Sequence, residues 1–62
     1  MQIKLKELRE KEKLTQKQLA EKSGVSLNLI ARIESGELKS TSTNTLFKLA
    51  KALNTSVEYF FK

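Results

Sequence analysis

Cysteine, histidine and proline are all absent from this chain. The first two absences exclude disulfide staples, thiol chemistry and zinc-finger architectures together, since each needs one or both side chains. Glycine occurs only at Gly24 and Gly36, so no glycine-rich loop is available to cradle a phosphate. No run of 18 apolar residues exists, and charges interrupt the chain too often for a membrane span or the core of a signal peptide. Nor are there carboxylates paired at catalytic spacing. We therefore expect no enzyme, no bound metal and no cofactor.

At 62 residues the chain makes one domain, 1–62. A domain this small buries only about 60% of the surface that its unfolded form exposes. Without cross-links its stability has to come from helix packing, and a second subunit is one further source. Twelve basic residues against seven acidic ones leave a net charge of +5, which favours an anionic partner. Lysine supplies most of that charge. Arginine appears only as Arg9 and Arg32, which stand apart because a guanidinium is a rigid fork and an ammonium is not.

Gln2 to about Lys13 is rich in good helix formers, with Ile3, Leu5 and Leu8 on one side. Thr15 followed by Gln18 has capping-box spacing and starts a second helix, which carries Leu19 and Ala20 inward and ends near Ser23. Gly24 then takes the left-handed position. Ser26 caps a third helix that buries Ile30 and Ile33, with Val25 just ahead of it and Gly36 as its end. After a hydroxyl-rich loop, Leu46, Leu49, Ala50 and Leu53 recur at i, i+3, i+4 and i+7, the cleanest amphipathic signal in the chain. Asn54 terminates this fourth helix. A last short helix carries Val57, Phe60 and Phe61, and either Thr55 or Ser56 caps it. No segment alternates as a strand does, so the fold is all-α.

Taken together, Leu8-Arg9, Leu14-Thr15-Gln16, Leu19-Ala20-Glu21, Gly24-Val25-Ser26, Ile30, Arg32-Ile33-Glu34, Gly36, Thr45-Leu46, Leu49-Ala50 and Ala52-Leu53 resemble the helix-turn-helix domain of phage repressor and Cro proteins, the xenobiotic-response-element family. The resemblance runs from about Ile3 to Phe61. It implies a five-helix, lambda-repressor-like bundle with its helix-turn-helix at about 15–35, binding operator DNA as a symmetric homodimer to regulate transcription. The second helix of such a motif enters the major groove. It also implies a cytoplasmic, nucleoid-associated protein with no membrane contact. Four positions depart from the family: Lys13 and Asn54 stand where Gly is common, Thr41 where Pro is frequent, and Thr43 where an apolar residue usually anchors the fourth helix.

On this resemblance the third helix is the reading element, and Leu27, Asn28 and Arg32 are its base-contact candidates. Asn28 can pair with the N6/N7 edge of adenine, Arg32 with guanine O6/N7 or a phosphate, and Leu27 with a thymine methyl. Gln16 joins them, because the family uses that position for DNA contact; its amide can reach a phosphate or a base, or bridge to the reading helix. Lys17, Ser26, Lys39, Ser40, Thr41 and Thr43 are the phosphate-contact candidates. The family also pairs an Arg of the first helix with a Glu ending the third, here Arg9 and Glu34. Leu38, Val57, Tyr59, Phe60 and Phe61 supply apolar surface for a dimer; the alternative for Val57 and one or both Phe residues is to complete the core. Two alternatives remain at this level: an antitoxin-like or phage protein-binding module, and a DNA-binding fragment of a larger regulator.

Overall fold

The computed structural model describes residues 3–38 and 41–61. Four α-helices follow one another: α1 (Leu5–Lys11), α2 (Gln16–Ser23), α3 (Leu27–Glu34) and α4 (Thr43–Ala52). A 3₁₀ segment, η1 (Val57–Phe61), closes the chain. Among the described residues there is no strand. The expected fifth helix is thus a 3₁₀ segment and not an α-helix.

Local chemistry sets the helix boundaries. At α2 both halves of the capping box form: Gln18 N–H donates to Thr15 Oγ1 at 3.0 Å, and Thr15 N–H donates to Gln18 Oε1 at 2.8 Å. Ser26 Oγ accepts from Leu29 N–H at 3.1 Å to start α3, and Ser42 Oγ accepts from Thr45 N–H at 3.1 Å to start α4. Helix α1 has no side-chain cap and begins at Leu5, three residues later than the expected start at Gln2. Tertiary structure is the reason: Lys4 N–H donates to the carbonyl of Phe60 at 2.8 Å, which ties the entering chain to η1 and buries Ile3 ahead of the helix.

Two helices end on non-glycine residues in the left-handed region. Lys13 has φ +58° and Asn54 φ +57°. Each closes a paired hydrogen-bond motif. Lys13 N–H donates to Glu10 O and Leu14 N–H to Arg9 O; Asn54 N–H donates to Lys51 O and Thr55 N–H to Ala50 O. The missing glycines therefore leave the turns in place and load Lys13 with backbone strain, because its Cβ crowds the following carbonyl.

The core is continuous. Leu5, Leu19, Ile30, Ile33, Leu49 and Phe60 are its largest fully buried side chains, and Val25, Leu46, Ala50, Ala52 and Leu53 join them. Helix α2 packs on both α3 and α4, and α1 packs on α3. Thr43 lies exposed at the first position of α4, so the apolar anchor expected there is replaced by a solvated hydroxyl.

Candidate nucleic-acid interface

The α2–turn–α3 hairpin is built around Gly24, whose φ of +77° makes the turn left-handed while its N–H donates back to Ala20 O at 2.9 Å. Ser23 Oγ then accepts from Val25 N–H at 3.1 Å, and Val25 is buried in the angle between the helices. Helix α3 starts on the Ser26 cap. The cap hydroxyl takes Leu29 N–H, and the N–H groups of Leu27 and Asn28 lie at the open, positively polarised helix end.

The two faces of α3 are chemically opposite. Ile30 and Ile33 are fully buried, and Leu29 packs partly against the core. Leu27, Asn28 and Arg32 are exposed. Asn28 and Arg32 are one turn apart on the same side, as 3.6 residues per turn requires. Leu27 keeps 45% of its surface in solvent at the head of the same helix.

Behind that face a polar network joins three helices. Arg9 of α1 meets Glu34 of α3 side-on, with Nε at 2.7 Å from Oε2 and Nη2 at 3.1 Å from Oε1. Its remaining Nη1 donates to the Leu14 carbonyl at 2.6 Å. Gln16, the first residue of α2, donates from Nε2 to Glu34 Oε1 at 3.0 Å. The side chains of Arg9 and Glu34 are 11% and 5% exposed. The hydrogen bond to Glu34 raises the Arg9 pKa above the ordinary arginine value; burial works against the shift and the Glu34 charge reinforces it. Of the three roles open to Gln16, its amide nitrogen thus takes the bridge to α3.

Of the flanking residues, Lys17 and Thr43 are exposed and Thr41 is half-buried; Ser26 is exposed but spends its hydroxyl as the cap acceptor. Lys39 and Ser40 lie outside the described residues. The expected dimer surface divides. Tyr59 and Phe61 are 47% and 39% exposed, whereas Leu38 and Val57 are partly buried against the core. Phe60 is fully buried, which corrects its assignment to a partner surface: its side chain completes the core.

Two residues went unnoticed in the sequence. Among the described residues Phe47 is the most exposed large apolar side chain, at 63%, and with Val57, Asn54 and Thr55 it borders an open groove. Its exposure is implicit in the helix period, because it falls one residue past Leu46 and so about 100° off the buried stripe. Glu37 accepts from Arg32 Nε at 2.8 Å, and no sequence pattern announces that contact.

A helix-turn-helix family matches residues 5–60, which is nearly the whole chain. The chain belongs to that family, of the Xre/Cro-like kind. It is a DNA-binding helix-turn-helix domain, consistent with a role in transcriptional regulation. No curated protein and no solved structure matched it. Among the described residues, no helix is long and apolar enough to cross a membrane, and no three acidic, His or Cys side chains cluster as metal ligands.

Proposed function

We propose that this helix-turn-helix domain binds double-stranded operator DNA sequence-specifically and regulates transcription by occupying it, with α3 in the major groove. The observation that carries the reading is the division of α3 itself. Leu27, Asn28 and Arg32 face solvent while Ile30 and Ile33 hold the helix to the core from behind. An exposed leucine at the head of a helix has little use for the isolated fold, but it suits a thymine methyl. Asn28 and Arg32 carry the amide and guanidinium that distinguish adenine and guanine edges. Lys17, Thr41, Thr43 and the open N–H groups after Ser26 are the phosphate contacts in this reading, together with Lys39 and Ser40, which lie outside the described residues. The net charge of +5 supports the reading by drawing the domain to any duplex.

A single α3 offers few base contacts, so useful affinity calls for two domains on half-sites one helical turn apart. Exposed Tyr59 and Phe61 support a homodimer, in which they would lose their contact with water.

Selection of binding sites from randomised duplexes tests the whole reading. The expected result is a palindromic consensus, bound with an affinity that falls steeply with salt. A pool that never enriches, together with weak binding to any duplex at low salt, refutes it and turns the reading toward a protein-binding module.

A further inference from the structure

We infer that Glu37 is a specificity-determining positioning residue, which holds the Arg32 guanidinium so that its two terminal nitrogens meet a guanine end-on. The inference rests on the DNA-reading role of α3 proposed above and names the residue that sharpens it. Arg32 donates from Nε to Glu37 Oε2 at 2.8 Å. Among the described residues neither Nη1 nor Nη2 has a partner. An arginine can present a base with either its side edge, through Nε and one Nη, or its end, through both Nη atoms. Glu37 occupies the side edge. What is left is the end-on fork, which fits the O6/N7 pair of guanine.

The contact is more than two long side chains meeting by chance in solvent, because the backbone that carries Glu37 is fixed. Gly36 turns the chain at φ +84°, a conformation costly for any residue with a Cβ. Gly36 N–H donates to Ile33 O at 3.2 Å, and Leu38 N–H donates to the carbonyl of Arg32 at 3.2 Å. Ser35 Oγ donates to that same carbonyl at 3.1 Å and accepts from Glu37 N–H at 3.3 Å. The turn is thus anchored on Arg32 itself and brings Glu37 back beside the arginine five residues earlier.

Both partners are about half-exposed, so the pair contributes little to stability. Its consequence lies elsewhere. A free arginine samples many rotamers and contacts phosphates or bases indifferently, whereas one held at Nε loses less freedom on meeting a base. The Glu37 carboxylate also repels phosphates, so it weakens binding to arbitrary DNA while it improves discrimination. A residue that merely decorated the surface would shift all affinities together.

The test uses the whole chain and the consensus selected for it. Affinities of Glu37→Gln, Glu37→Asp and Arg32→Ala, and of Glu37→Gln combined with Arg32→Ala, are measured on the consensus, on its single-base-pair variants and on random duplex, with melting curves to confirm folding. Both Glu37 variants should lower discrimination at one G·C pair by about 3–10-fold, part of what a bidentate arginine supplies. Glu37→Gln should also bind random duplex more tightly. The change in discrimination caused by Glu37→Gln should not survive in the Arg32→Ala background. Unchanged discrimination in Glu37→Gln overturns the inference. So does wild-type discrimination in Glu37→Asp, which keeps the charge but shortens the reach, since charge alone would then be at work. If Arg32→Ala leaves discrimination intact, the base-reading role of Arg32 falls first and the inference falls with it. A wild-type chain without a preferred site removes the proposed function before Glu37 is tested.

Discussion

Removing either member of the Arg9–Glu34 pair should destabilise the domain more than removing both. Glu34 accepts three hydrogen bonds, two from Arg9 and one from Gln16, with its side chain 5% exposed. In Arg9→Met the carboxylate stays buried with Gln16 alone. In Glu34→Leu the guanidinium is left with only the Leu14 carbonyl. Breaking a buried pair in this way costs about 3 kcal/mol, whereas replacing both members with packed apolar groups is close to neutral. A domain of this size has about 3–9 kcal/mol in total. Each single variant should therefore lose about 12–24 °C in Tm, and the double variant about 5 °C or less. The assay is a double-mutant cycle by urea and thermal denaturation, followed by circular dichroism. If the two single losses sum to the double loss within about 0.5 kcal/mol, the side chains do not act as a unit and the reasoning is refuted. The pH dependence has a definite sign. Because the Arg9 pKa is raised, its contribution is fully present below the ordinary arginine value and is lost only as pH rises through the raised one. The difference in stability between wild type and Arg9→Met should accordingly stay flat from about pH 7 to pH 10, where unperturbed arginine also remains charged.

Lys13→Gly relieves a left-handed residue at a helix end and should stabilise the domain by about 0.5–1 kcal/mol, after the extra entropy of the unfolded chain is deducted; an unchanged or lower melting temperature contradicts the strain. Thr15→Ala removes the side-chain half of the α2 capping box, the hydroxyl that accepts from Gln18 N–H, and should cost about 1 kcal/mol in the same measurement; a neutral effect counts against the cap. Asn28→Ala should relax selectivity at one base pair, at a cost of about 1–3 kcal/mol, without altering the melting curve, whereas Lys17→Ala should weaken binding to all duplexes alike and lower the salt slope by about 1. Replacing Tyr59 and Phe61 together by serine should leave the monomer folded and shift sedimentation equilibrium toward it; an unaltered association constant places the dimer surface elsewhere.

Legibility from sequence followed the range of the interaction. Thr15, Ser26, Gly24 and Asn54 act on backbone groups within a few residues, so their caps and turns could be read from spacing, and all four occupy the expected places. The apolar stripe of α4 was equally legible, and Leu46, Leu49, Ala50 and Leu53 are all buried. What escaped depends on contacts between distant segments. The late start of α1 follows from a hydrogen bond to Phe60, more than fifty residues away, and nothing near Gln2 announces it. Phe60 and Phe61 are adjacent and chemically identical, so only the path of η1 decides which is buried. The division of α3 into two faces follows from Ile30 and Ile33 alone. The bridge from Gln16 was one of three roles open in the sequence, and the choice of Glu34, like the bond from Arg32 to Glu37, required the hairpin and the turn to be assembled first.

These contacts also explain how so small a domain can hold the proposed reading face in one orientation. Helix α3 has only eight residues, too few to persist alone in water. Ile30 and Ile33 fix its depth, and the Ser26 cap fixes its start. Glu34 fixes its end by holding α1 through Arg9 and α2 through Gln16. Rotation of α3 about its axis would carry the carboxylate out of reach of both donors and expose Ile30 or Ile33. The buried polar network and the apolar face thus select the same orientation, the one that leaves Leu27, Asn28 and Arg32 outward. Ordering that would otherwise be deducted from DNA affinity is already complete in the free protein. Arg9→Met with Glu34→Leu, folded but freed of the network, should consequently lose discrimination between consensus and variant duplexes more than it loses affinity for random DNA. Equal losses on both would show that the network serves stability alone.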